Sequence, residues 1–177
     1  MTVGELLKAR KEAVFQRWLA DALASYPEDA ADVFRRKKDP FENPVGTSVR
    51  AATGAILGAL LGETDPETVD RHLEQVVKIR AVQQLTASEA LGFIFRLKEA
   101  IRAELGERAA GAELASQWVE LDRQIDRIGL AAFDIYVRCR ERLSDLRVNE
   151  VKRRVSWILE KFNSRGPEPE SARVDPK

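Results

Sequence analysis

The sequence is poor in the side chains that most often carry out chemistry. It has one cysteine, Cys139, and one histidine, His72. One cysteine cannot form an internal disulfide, and this pair is too small a ligand set for a zinc site. No serine lies in a nucleophile-elbow pattern, and Arg71 and Glu74 beside His72 indicate a wet surface rather than a haem pocket. We therefore expect no enzyme activity, no metal and no cofactor.

Net charge and long apolar runs are also lacking. The 29 basic and 29 acidic residues give a formal charge of zero, which disfavours nucleic-acid binding. The N-terminus lacks the layout of a signal peptide, so we expect a cytoplasmic protein. The most apolar run, 51–62, is shorter than the roughly 20 residues that cross a bilayer, and Arg50 and Glu63 flank it. It predicts a buried helix and no integral membrane span.

Helical periodicity runs through nearly the whole chain, and no segment alternates with period two. The sequence therefore predicts an all-α protein with one helical-bundle domain over residues 1–162. Residues 163–177 are polar and proline-rich and should form a disordered tail. Helix starts are indicated by two capping boxes and two first-turn prolines, at Thr2, Thr86, Pro44 and Pro66.

Two features of the first half of the chain lead to specific expectations. The first helix should run without a break from Thr2 to Ala24. Gly54, Gly58 and Gly62 recur every four residues, and each costs roughly 1 kcal/mol relative to alanine inside a helix. We expect this row to compensate by allowing close approach of a second helix backbone.

The C-terminal part, from about Ala110 to Phe162, should be one very long helix or two nearly collinear ones. No proline interrupts it, and only Gly129 is a local weakness. Its apolar stripe restarts out of phase after Leu146. We therefore expect the buried face to change partner near Ser144 and Asp145.

Arg80 lies among apolar residues on a helix that should be largely buried. A buried arginine needs a carboxylate or carbonyl partner, and Asp39, Asp126 and Asp134 are candidates. One interpretation is a structural ion pair that holds the Asp39–Pro40 connection against the helices. The other is a pocket in which Arg80 and Gln83 bind an anionic or polar effector.

The segment Val151–Phe162 is amphipathic, basic and contains aromatics. Such a helix can lie on an anionic membrane or dock in a partner's groove. We favour a third interpretation, in which it packs on its own domain or on a second copy of the chain.

Three motifs make the chain similar to a known family. They are the runs 38–46 (Lys-Asp-Pro-Phe-Glu-Asn-Pro-Val-Gly), 79–83 (Ile-Arg-Ala-Val-Gln) with Ser-Glu-Ala at 88–90, and Asp134-x-Tyr136-x-x-Cys139-Arg140-Glu141. Together they resemble the RsbRD N-terminal domain family of RsbT co-antagonist proteins in bacterial stress signalling. The resemblance spans about Gly4 to Lys161.

The resemblance implies a globin-like sensory module without haem, which in stress-signalling proteins precedes a STAS domain through a long helix. From the position of Arg80 and these motifs we expect a structural or ligand pocket formed by Asp39, Phe41, Asn43, Arg80, Gln83 and Asp134. The resemblance also implies a dimerising and output helix that carries Ile135, Cys139, Val151, Val155 and Ile158. Stand-alone members are similar to small proteins encoded beside the membrane redox complex of dissimilatory sulfur metabolism.

Two functions of different classes follow. The first is a cytoplasmic regulatory dimer that reads a ligand or redox state and passes it to a protein partner, such as a regulator or a STAS-domain protein. The second is an accessory protein that docks on a larger complex, for example a redox complex, without sensing a ligand. A homodimer is expected for both.

Overall fold

The structure is a computed structural model that describes residues 2–26, 28–36, 39, 41–83, 85–106 and 111–164. These residues form seven α-helices and one short 3-10 helix and contain no strand, which confirms the all-α prediction. The helices are α1 (Val3–Ala9), α2 (Lys11–Leu23), α3 (Glu28–Arg36), α4 (Pro44–Leu60), α5 (Pro66–Val82), α6 (Ala87–Leu105) and α7 (Ala115–Ser164), with the 3-10 helix at Ala112–Leu114. The predicted tail lies outside the described residues from 165 onward.

The starts of α1, α4, α5 and α6 are those that the sequence predicts. At α6 the Glu89 amide donates to the Thr86 hydroxyl at 3.4 Å, and the Thr86 amide donates to the Glu89 carboxylate at 2.8 Å. Thr2 and Glu5 make the same reciprocal pair at α1. The two helices that begin with proline are capped by the side chains of Asn43 and Asp65. These bonds satisfy amides that a helix start leaves without intrahelical partners.

The expected first helix is in fact two helices. α1 ends at Ala9 and α2 begins at Lys11, and Arg10 between them has φ −114° and ψ 13°. The prediction of one unbroken helix is therefore wrong at Arg10. Neither glycine nor proline marks the break, so the local sequence carries no signal for it.

The glycine row does not mark a close helix crossing. A Cβ on Gly58 would meet the Thr64 side chain at 2.2 Å, whereas one on Gly54 would make only ordinary contact with a Phe15 ring carbon at 3.7 Å. Gly62 lies beyond α4 with φ +71°, where the Gly62 and Glu63 amides donate to the carbonyls of Ala59 and Gly58. This pair of bonds is a Schellman cap, which explains the last glycine by its left-handed backbone.

Trp18 of α2 is the largest fully buried side chain among the described residues, and α2 packs against both α4 and α6. The Trp18 indole donates to the Phe93 carbonyl at 2.6 Å, and the two rings stack with centroids 6.2 Å apart. The run predicted as a buried helix belongs to α4, where Ala52 and Ile56 are fully buried. In the part of the chain that the structure describes, no helix combines the length and apolar content needed to cross a membrane.

The chain divides into two compact units, 1–140 and 141–177, and α7 contributes residues to both. In the first unit α7 supplies core residues such as Ile125 and Ala132. In the second unit every described side chain from 151 to 163 is exposed. The change of partner expected for the buried face near Ser144 is therefore a change from buried to exposed residues. The part of the apolar stripe that restarts after Leu146 has no buried face.

Three carboxyl groups near helix ends make the fold sensitive to acid. A hydrogen bond from Lys11 lowers the pKa of Glu63, and bonds from Thr68 and Thr86 lower those of Asp65 and Glu89. A pKa lowered by folding adds stability above the unfolded value, and this stability is lost as the pH falls through the folded value. The loss should begin below about pH 4.5, the ordinary glutamate value.

We expect the Asp65→Asn/Glu89→Gln variant to lose less melting temperature than the wild type between neutral pH and about pH 3. Both replacements retain a side chain that can cap but remove its titration. Circular dichroism melts over this pH range measure the difference, with Glu99→Gln on the exposed side of α6 as control. Parallel acid curves for the double variant and the wild type would contradict the assignment.

Candidate functional site

Arg80 is in the last turn of α5, and its side chain is 0% exposed. Its Nη2 donates to the Ala22 carbonyl at 3.0 Å and lies 3.5 Å from the Ser25 hydroxyl. Its Nη1 donates to the Ala90 carbonyl at 3.1 Å and more weakly to the Glu89 carbonyl at 3.4 Å. One guanidinium group therefore joins the end of α2, the end of α5 and the first turn of α6.

Two aromatic rings lie against this guanidinium. Its central carbon lies 4.6 Å from the Phe93 ring centroid and 5.3 Å from the Tyr26 ring centroid. Among the described residues no carboxylate lies within ion-pair distance of Arg80. Desolvation consequently lowers the pKa of Arg80, and the nearby Tyr26 opposes the shift. Carbonyl dipoles and ring faces, rather than a counter-ion, stabilise the charge.

The three aspartates proposed as partners of Arg80 lie elsewhere. Asp126 accepts from Lys98 at 2.7 Å, and the Asp39 carboxylate accepts from the Phe41 amide at 2.8 Å. Asp134 is exposed and lines an open depression between α5 and α7. Arg80 therefore has the carbonyl partners that the sequence allowed, and the ion pair predicted with one of these aspartates is not present among the described residues.

Asn43, just before α4, links the start of this helix to α3. The Asn43 side chain accepts from the Gly46 amide at 2.8 Å and donates to the Phe34 carbonyl at 2.9 Å. A Cβ on Gly46 would lie only 2.6 Å from that same carbonyl oxygen, so this close packing requires glycine. Phe41 of the same motif is 97% exposed and therefore lines no interior pocket.

Tyr26 and Phe34 link Asn43 to Arg80, two residues of the predicted pocket. Their rings meet edge to face with centroids 5.2 Å apart. The Tyr26 hydroxyl donates to the Gln83 side chain at 3.3 Å, and burial raises the pKa of this phenol. A continuous series of contacts thus runs from Asn43 through Phe34 and Tyr26 to Arg80. Asp134 is not part of it. No pattern in the sequence pointed to the two aromatic residues beyond their position near the ends of α2 and α3.

A cavity of about 220 Å³ lies beside the partners of Arg80. Ser25, Glu89 and Phe93 belong both to its lining and to the surroundings of the guanidinium. The other lining residues are Asp21, Leu85, Ser88, Gly92 and Arg96. Carboxylates, hydroxyls and a guanidinium around so small a space suit a small polar ligand. The described residues contain no group of three His, Cys, Asp or Glu side chains that could hold a metal ion.

The five residues expected on the output helix fall into two groups. Ile135 is only 8% exposed and Cys139 packs against the core, so both belong to the interior of the first unit. Val151, Val155 and Ile158 are 59%, 50% and 45% exposed. Only these last three offer the apolar surface that a partner requires.

Comparison with known protein families decides the relationship suggested by the motifs. A family model described as the RsbT co-antagonist protein rsbRD N-terminal domain matches residues 12–151. The chain belongs to this family. The matched range of the RsbRD family includes Arg80 and the Asp39–Asn43 connection and ends within α7. No curated protein and no solved structure matches the chain. The globin-like arrangement stays a prediction.

Replacing Arg80 should be among the most damaging single changes in the chain. Arg80→Ala leaves three backbone carbonyls with lost donors and opens a cavity between two rings, so we expect unfolding to require roughly 3–5 kcal/mol less free energy. Arg80→Lys should recover only part of this, because an ammonium group lacks the planar fork that reaches α2 and α6 together.

Urea unfolding monitored by circular dichroism measures these losses. Arg71→Ala, an exposed change on the same helix, is the matched control and should alter stability by less than about 0.5 kcal/mol. Equal stability of the Arg80→Ala and Arg71→Ala variants would show that the guanidinium does not hold the three helices together.

Proposed function

We propose that this protein is a non-enzymatic, cytoplasmic regulatory domain that senses a small polar ligand and signals through protein contacts as a dimer. Membership of the RsbRD family supports the regulatory role. The ligand site proposed is the cavity beside Arg80, because polar side chains from α2 and α6 converge at the surface there, next to the buried guanidinium.

A hydrogen bond between α7 and the wall of this cavity carries the proposal. The Tyr136 hydroxyl donates to the Leu85 carbonyl at 2.5 Å, and Leu85 also lines the cavity. One turn further on, Arg140 donates to the Ala81 carbonyl at 3.3 Å, next to Arg80. A ligand that moves the connection between α5 and α6 would therefore act directly on α7. This helix continues without interruption to Ser164.

The dimer contact that we propose is an apolar groove between α6 and α7. The groove has a volume of about 340 Å³, and its exposed apolar side chains are Phe95, Leu130 and Phe133. Leu130 is 66% exposed at the edge of the groove. In a two-fold symmetric dimer the Leu130 side chain of each copy can enter the groove of the other, because both partners present the same surface. A cluster of large exposed apolar residues is typical of such interfaces.

Leu130→Asp should prevent dimer formation, because a carboxylate would then be buried against Phe95 and Phe133. We expect light scattering at micromolar concentration to give a dimer mass for the wild type and a monomer mass for the variant. Val33→Asp, at a similarly exposed apolar position on α3, is the control and should leave the dimer mass unchanged. A monomeric wild type would refute the dimer.

The accessory role is the second candidate, and the exposed stripe at the end of α7 favours it equally, because docking on a complex also needs an unpartnered surface. Affinity purification from the native host after mild crosslinking separates the two roles. A regulator or STAS-domain protein captured by the wild type and lost with Val151→Asp/Ile158→Asp would support signalling. Membrane redox subunits lost with the same variant would support the accessory role, and a capture list unaffected by the variant would contradict both.

A further inference from the structure

The exposed end of α7 carries a narrow apolar stripe of regular spacing, which we call the α7 stripe. Its members recur at alternating intervals of three and four residues, and all are 45–71% exposed: Val148, Val151, Val155, Ile158 and Phe162. This is the a/d pattern of a coiled coil, with mostly β-branched residues. Leu159 alone widens it. A seam this narrow fits another helix better than a broad surface.

Charge on the two sides of the stripe is unequal. Arg147, Arg154 and Lys161 follow one edge at intervals of seven residues, and we call them the cationic row. On the other side of the stripe, the residues at intervals of seven are the uncharged Asn149, Ser156 and Asn163. Lys152 is the one cation close to the stripe on that side. The carboxylate nearest to the cationic row on the same helix is that of Glu150, which pairs with Arg154 one turn away. Both of these side chains are exposed, and such surface pairs hold only weakly.

The cationic row disfavours pairing of this stripe with a second copy. In a parallel coiled coil Arg147 would face Lys152 of the other copy, since a g position faces the e position of the next heptad. In an antiparallel one Arg154 would face Arg154, and Arg147 would face Lys161. In each orientation a cation of one copy faces a cation of the other. This repulsion disfavours pairing of the stripe with itself.

An anionic membrane also fits less well than a helix. At 3.6 residues per turn, Trp157 lies about 140° from the centre of the stripe. There it packs with Lys161, whose Nζ is 4.9 Å from the ring centroid. A helix lying on a membrane buries its aromatic residues with the apolar face and carries cations at both edges. Here the largest aromatic residue is on the other side, and three of the four cations that flank the stripe follow one edge.

We propose that the α7 stripe binds an amphipathic helix of a different protein, one with an apolar a/d seam and an acidic residue in each heptad along the edge that meets the cationic row. The inference rests on the proposed function, because it names the partner class for the surface through which that function acts. Complementary charges at such an edge select the partner and its orientation.

Two synthetic three-heptad peptides test this, with identical leucine and isoleucine seams and either glutamate or lysine at every flanking position. Isothermal titration with the full-length chain should show the glutamate peptide binding at least about tenfold tighter at low salt, with the advantage shrinking as salt rises. Arg147→Glu/Arg154→Glu should reverse the preference between the peptides. Arg142→Glu/Arg153→Glu removes the same number of arginines away from the edge and should leave the preference unchanged.

Equal affinity for the two peptides, or no binding of either, would overturn the proposal. A membrane role would also overturn it. In that case the chain would bind neither peptide but would sediment with phosphatidylserine vesicles, and Arg147→Glu/Arg154→Glu would abolish this sedimentation. Circular dichroism confirms that each variant keeps its helix, and Arg147→Gln/Arg154→Gln repeats the test without added negative charge. Host proteins captured through the stripe would still support the proposed function if these peptides failed, whereas a capture list independent of the stripe would contradict the function itself.

Discussion

Burial of the Arg80 charge is the constraint on which the arrangement of the first unit depends. Taking a guanidinium out of water is costly, and the cost is offset only if its donors find acceptors in fixed positions. The acceptors here are the carbonyls of Ala22, Glu89 and Ala90, so the ends of three helices have to meet at one point. The carbonyl of Ala22 is in the last turn of α2, where the helix dipole favours a cation.

The surroundings of Arg80 join the interior of the first unit to its longest helix. On one side, Tyr26 and Phe34 lead to Asn43 and the start of α4. On the other, Tyr136 of α7 donates to the connection between α5 and α6, and Arg140 of α7 donates to the last turn of α5. A change in the position of the guanidinium would therefore alter contacts both at the N-terminal cap of α4 and with α7. These contacts are the physical basis of the proposal that a ligand in the cavity acts on α7.

The sequence predicted those parts of the structure that depend on neighbouring residues. The capping boxes at Thr2 and Thr86 and the proline starts are local, and they are confirmed. The partners of Arg80 could not be identified, because backbone carbonyls have no signature in a sequence. Periodicity also did not distinguish Ile135, which is buried, from Val151, which is exposed, since the same spacing marks an intramolecular core and an unpartnered seam. The RsbRD motifs identified Arg80 and Asn43, but not the aromatic residues that connect them.

The use of carbonyl acceptors also bears on how such a sequence can change over evolutionary time. Every residue type supplies the same carbonyl oxygen, so substitutions at Glu89 leave the acceptor in place, and those at Ala22 or Ala90 are limited only by the space available. No compensating change elsewhere would be selected when these positions vary. An arginine held in this way has no acidic residue with which to covary. Only the rings of Tyr26 and Phe93 could show its importance in an alignment, besides its own invariance.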